Sequence, residues 1–188
     1  MRFSLETACG CNMGKHRKNN EDNFYFEDKC LELDNQGLRN ITSFSGNLRN
    51  GLCLAVFDGM GGENYGEVAA YTAARKMQET TRALSDYIIS ERRYLSRLTS
   101  QLNDAIVDVK KQLRTDRCGS TMAALYFSSG YVYACNGDDR TITLNEIDGE
   151  LQQDVRISTS DAHHDAQIRT LHIVRNVFAF EVKNPADS

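Results

Sequence analysis

Gly51 to Gly62 reads GLCLAVFDGMGG, and the change of character at Asp58 decides how the rest of the chain is read. Leu52 to Phe57 is an unbroken apolar run. A run so short, closed by Gly59, Gly61 and Gly62, fits a strand buried on both faces better than a helix. Asp58 is then expected at the end of a buried strand. A carboxylate leaving such a strand beside glycine can hold a hard cation, because glycine lets the backbone come close and offers its own carbonyl as an oxygen ligand. The same residues also suit an ordinary Asp-Gly turn, so the stretch alone leaves both readings open.

Three further blocks weigh between them. Gly14 to Asn23 reads GKHRKNNEDN, Cys118 to Thr121 reads CGST, and Asn136 to Arg140 reads NGDDR. In this order, the four segments resemble the metal-dependent (type 2C, or PPM) serine/threonine protein phosphatases, whose pattern is R-x-x-N-E-D, D-G-[MH]-G-G, G-S-T and G-D-S-R. The resemblance covers roughly Thr7 to His163. Met60 and the Asp148-Gly149-Glu150-Leu151 segment look like the bacterial branch.

The resemblance implies an α/β fold, a four-layer α-β-β-α sandwich with mainly antiparallel sheets. It also implies hydrolysis of phosphoserine and phosphothreonine in proteins by a metal-activated water, with a cognate serine/threonine kinase as antagonist. By the same resemblance, Asp58 bridges two divalent ions and the Gly59 carbonyl contributes to one of them. Glu21 and Asp22 act at the second, largely through coordinated waters, and Asp138 holds a weaker third ion. An oxygen-rich set of this kind favours Mn²⁺ or Mg²⁺ over zinc. Arg17 stands three residues before Asn20, where the family's phosphate-binding arginine stands; a guanidinium fork matches two phosphate oxygens.

Departures from the pattern matter as much. Relatives with histidine at position 60 can protonate the leaving alkoxide with it, whereas methionine has no proton to give. Asp139 replaces the usual serine of G-D-S-R and adds charge beside Asp138. The family's later S-D-G and D-N blocks, which supply further metal-ligating aspartates, have no counterpart here; after Ser160 the only aspartates are Asp161, Asp165 and Asp187. The expected division is therefore a PPM-type region over 1–165 and a segment over 166–188 that does not match the family. The alternative to an active enzyme is a catalytically impaired relative or fragment that binds phosphoproteins or regulates a partner. His163 and His164 are given no catalytic role. The Ser120 and Thr121 hydroxyls, without a glycine-flanked elbow, are expected to satisfy backbone groups at a strand start.

Composition agrees without being decisive. At 188 residues the chain is long enough for one domain with a substantial core. Its net charge of −4, with basic and acidic residues interspersed, gives no basic stripe of the nucleic-acid-binding kind. Nothing in it is apolar for long enough to cross a bilayer, and the start MRFSLETACG has no apolar signal region, so a cytoplasmic protein is expected. The six cysteines form no C-x-x-C pair and are expected to be reduced and unpaired. Composition leaves the oligomeric state open.

Strands are expected over Phe3–Cys9, Asn23–Phe26, Leu52–Phe57, Ser120–Phe127, Tyr131–Cys135 and Arg140–Ile147, with Ile41–Arg49 as a polar connection. An alanine-rich helix is expected over Gly66–Thr80. A second is marked by Leu95, Leu98, Leu102, Ile106, Val109 and Leu113, which recur every three or four residues as one apolar face. The two helices should pair and bury that face against a sheet.

Overall fold

In the computed structural model, the described residues are 4–47, 51–60, 65–84, 90–128, 131–136, 141–144, 167–174 and 177–183. They form a mixed α/β structure with antiparallel sheets. In chain order the elements are β1 (Ser4–Cys9), β2 (Asp22–Tyr25), β3 (Thr42–Asn47), β4 (Leu52–Met60), α1 (Gly66–Leu84), α2 (Glu91–Leu113), β5 (Gly119–Ser120), β6 (Ala123–Ser128), β7 (Tyr131–Asn136), β8 (Thr141–Leu144), β9 (Gln167–Val174) and β10 (Val177–Lys183).

The central sheet runs in the order β2-β4-β6-β7-β8, with β5 pairing onto the far end of β4. The apolar run beginning at Leu52 lies at its heart, and alternate side chains go to opposite faces. Cys53, Ala55 and Phe57 join Ala70, Ala73, Ala74 and Met77 of α1 and Leu95, Leu98 and Leu102 of α2 in one buried cluster. Leu54, with Leu125 and Phe127 of β6, joins Cys9 of β1, Phe24 and Phe26 in another, with Phe44 of β3 packed against it. A strand with a core on each face needs an unbroken apolar run, which accounts for the sequence here.

Three layers follow: helices, central sheet, and the antiparallel pair β1-β3 on the other face. Alanines on α1 allow the helix to sit close to β4, and the leucine stripe of α2 packs beside it. The stripe is fully buried at Leu95, Leu98 and Leu102 and becomes half-buried at Ile106, Val109 and Leu113 as the helix runs out past the sheet. Arg114 ends it in the left-handed conformation, φ 52°. Buried Gln78 donates from Nε2 to the Asp28 carbonyl at 2.6 Å, which braces a turn where Glu27 and Asp28 both have positive φ.

Several expectations are corrected. The apolar run does not end the strand: β4 continues through Asp58 and Gly59 to Met60, because Asp58 pairs with Asp22 of β2 and Gly59 and Met60 pair with Ser120 and Gly119. Ile41–Arg49 is not simply a connection, since Thr42–Asn47 pairs along its length with β1, from Cys9↔Thr42 to Ser4↔Asn47. Its single large apolar residue, Phe44, gives too little alternation to announce a strand. The Ser120–Phe127 strand is interrupted at residues 121–122. The 166–188 segment contains the antiparallel pair β9-β10, and β10 lies against β1. Among the described residues no fourth, helical layer is found, and no helix is long and apolar enough to cross a membrane. All six cysteines are free thiols.

Candidate metal and phosphate site

The site is built where β2 and β4 lie side by side. Their antiparallel register places Asp22 directly opposite Asp58. Burial first, then the Asp58 charge beside it, push the Asp22 carboxyl up to about 6; Arg17 pulls the other way, and Glu21 and a hydrogen bond with Asp58 add to the rise. Like charges facing each other across a ladder are destabilising by themselves. A shared proton or a cation between them removes that cost.

Asp58 is held by its backbone. The Thr121 N–H donates to the Asp58 carbonyl at 2.9 Å, and Thr121 Oγ1 accepts from the Asp58 N–H at 3.3 Å. The Ser120 hydroxyl lies 3.2 Å from the same carbonyl and 2.9 Å from that of Thr121, so it can donate to either. The G-S-T hydroxyls therefore satisfy backbone groups, as expected, and the groups they satisfy belong to the key aspartate.

Gly59 is required for close approach. Its N–H donates to the Glu21 carbonyl at 3.0 Å. A Cβ there would overlap the Gly66 carbonyl oxygen at the start of α1 and lie 2.5 Å from the Glu21 carbonyl oxygen. Gly66 has the reciprocal constraint, since its own Cβ would stand 2.8 Å from the Gly59 carbonyl oxygen and 3.3 Å from the Glu21 carboxyl carbon. The Gly59 carbonyl and the Glu21 carboxylate thus both lie near the first turn of α1. Tyr65, just before that turn, has φ 74°, a conformation bulky side chains seldom take, and its carbonyl accepts the Ala69 N–H at 3.1 Å.

Arg17 lies in the exposed segment leading to β2, and its Nη1 sits 3.2 Å from Glu21 Oε2. The pair brings the guanidinium toward the carboxylates, although Glu21 is directed at Arg17. Behind them stands Asn20, a residue used in the sequence reading only to count spacing. It is buried, donates from Nδ2 to Asn35 Oδ1 at 2.7 Å, and accepts the Asp22 N–H at 3.2 Å. Its Nδ2 also approaches Cys11 Sγ at 3.3 Å. Asn20 positions Asp22. An asparagine directly before two acids was the available signal, but its partner at position 35 could not be read from the chain.

The structure therefore brings Arg17, Glu21, Asp22, Asp58 and Gly59 into one region. Asp138, with its neighbours Asp139 and Arg140, lies outside the described residues, as do Gly61, Gly62, Asp148, Gly149, Asp161, His163 and His164. Among the described residues, no group of three or more His, Cys, Asp or Glu is gathered closely enough to hold a metal ion. The donor chemistry at the Asp22–Asp58 pair is oxygen-only and anionic, which fits a hard divalent ion in kind and falls short in number.

No protein-family model matches the chain, and no curated protein matches it in sequence. Among solved structures it is similar to the serine/threonine phosphatase PstP/Ppp of Mycobacterium tuberculosis, with a TM-score of 0.46 and 19% identity, over 78% of this chain and 55% of that one. It is similar also to the catalytic domain of the serine/threonine protein phosphatase PstP in complex with 2 manganese ions, with a TM-score of 0.47 and 18% identity, over 77% of this chain and 56% of that one. The chain spans little more than half the length of each.

Proposed function

We propose that this chain is a metal-dependent phosphoprotein phosphatase unit acting on phosphoserine and phosphothreonine. The observation that carries the reading is the facing pair Asp22–Asp58, with Arg17 and Glu21 beside it. Two buried-strand carboxylates set opposite each other are a poor structural choice and a good cation site. A divalent ion bound there, Mn²⁺ or Mg²⁺, would supply a hydroxide-like water at neutral pH and neutralise phosphoryl oxygens. Asp58 and the Gly59 carbonyl would hold it, Asp58 with Glu21 and Asp22 would serve a second ion, largely through coordinated waters, and Asp138 a weaker third.

The chain's own residues do the remaining work. Arg17 leaves Glu21 for the phosphate, since a guanidinium can exchange one carboxylate for two phosphate oxygens in the same planar fork. Thr121 and Ser120 keep the Asp58 backbone from moving as charge changes at its side chain. Met60, exposed at the end of β4, offers no proton, so the leaving alkoxide takes one from solvent or from another acid. In this reading the fold is a four-layer sandwich, and the protein works in the cytoplasm, opposed by a serine/threonine kinase.

The second reading is a non-catalytic phosphoprotein-binding module. It is favoured by the absence of a three-ligand cluster among the described residues and by the Arg17–Glu21 contact. Hydrolysis of p-nitrophenyl phosphate in Mn²⁺, with chelator and Asp58→Asn as controls, separates the two. Manganese-dependent turnover reduced at least about a hundredfold in the variant is the expected outcome, because a bridging ligand is lost. A folded, monodisperse sample without turnover leaves the binding module.

A further inference from the structure

Lys15, His16, Arg17 and Lys18 are consecutive and exposed in a chain whose net charge is −4. Arg17 is paired with Glu21; among the described residues no ion pair involves Lys15, His16 or Lys18. The segment is fixed at both ends. Asn12 Oδ1 accepts the Gly14 N–H at 2.8 Å before it, and after it Asn19 Nδ2 donates to Glu67 Oε2 of α1 at 3.1 Å while Asn20 is held by Asn35. These anchors fix the segment that carries Arg17, whose guanidinium reaches Glu21 and acts on the Asp22 charge. Acids of the same region are already engaged, Glu21 by Arg17, Glu67 by Asn19, and Asp22 by Asp58.

One phosphate can use the Arg17 fork. The lysines on either side, Lys15 and Lys18, exceed what that single group needs, and their surplus charge is complementary to further negative charge on the same substrate, with the His16 ring beside them as a hydrogen-bonding group. Resting on the phosphatase reading above, we propose that Lys15, His16 and Lys18 form a docking rim that selects protein segments carrying Asp or Glu next to the phosphorylated serine or threonine. Lysines suit this task, because their flexible point charges tolerate carboxylates at varied positions where a rigid fork would not. Exposed charges of this kind act largely on encounter and are screened by salt.

The test compares two phosphothreonine peptides, one flanked by glutamates and one by alanines, on the Mn²⁺-loaded full chain. Both kcat/KM and binding by fluorescence anisotropy are measured. The acidic peptide should be preferred by roughly fivefold at low salt, the sum of two weak surface pairs, with the preference shrinking toward one at about 0.5 M salt. The double variant Lys15→Glu, Lys18→Glu should abolish or invert it. The readout is a ratio on one sample, so partial loss of folded protein cancels. A ratio of one in the unmodified chain, or a ratio unmoved in the variant, overturns the rim. Turnover with a ratio of one leaves the phosphatase reading standing; an acidic preference in binding without turnover of either peptide leaves the rim standing and removes the phosphatase. If neither peptide binds, both fall.

Discussion

Asp22 and Asp58 show what a single register can do to a side chain. Asp22 is one acid among many in the sequence, yet burial first, and then the charge of Asp58 opposite, raise its carboxyl from 3.8 to about 6. A carboxyl that holds its proton more tightly folded than unfolded stabilises the fold fully below its ordinary value, and that contribution is lost as pH rises through about 6. In chelator, the Asp22→Asn variant should therefore melt above the unmodified chain at pH 7.5, with the difference closing toward pH 4. Melting curves by circular dichroism across that range read it; a difference that is constant with pH would mean that neither burial nor Asp58 raises the Asp22 carboxyl. The roles expected of Arg17, Glu21, Asp22, Asp58 and Gly59 rest on the motif resemblance, whereas Asn20 marks only a position in that motif, and Asn35 and Gly66 are letters, until folding gives them partners.

At the level of elements, the crossing of β4 with the first turn of α1 is the tightest point of the candidate site. Gly59 and Gly66 approach backbone to backbone, with the Glu21 main chain against them. Gly59→Ala would drive a methyl into main-chain atoms that cannot swing aside, so a loss of about 2 kcal/mol or more is expected in urea unfolding. Gly66→Ala meets the Gly59 carbonyl at a longer distance and gains helix propensity, so it should cost less. Equal costs would place the crossing elsewhere. The helices were readable because a period of three to four residues encodes a buried face directly, as Leu95, Leu98 and Leu102 confirm by their burial. β3 was not, because its Thr42–Asn47 sequence is held by a ladder to β1 and by Phe44 alone among large apolar side chains.

For the whole molecule, the β1-β3 pair covers one face of the central sheet and has β10 lying against β1. The segment over 166–188, which resembles nothing in the phosphatase pattern, thus contributes to the fold. Removing it should expose β1, speeding amide hydrogen exchange at Thr7, Ala8 and Cys9 while leaving that of α2 at Leu98 unchanged. Uniform acceleration would indicate instead that the molecule unfolds as one unit. Sequence by itself determined the elements whose information is local: the doubly buried β4 from an unbroken apolar run and two helices from their periodicity; its four short blocks gave the metal-and-phosphate chemistry only as an expectation carried by resemblance. Tertiary structure decided the rest, namely that Asp22 faces Asp58, that Thr121 and Ser120 hold the Asp58 backbone, that Asn35 holds Asn20, and that β10 reaches β1. Each of these joins residues far apart in the chain, and strand register, which sets who meets whom, is a property of paired strands that neither strand encodes alone.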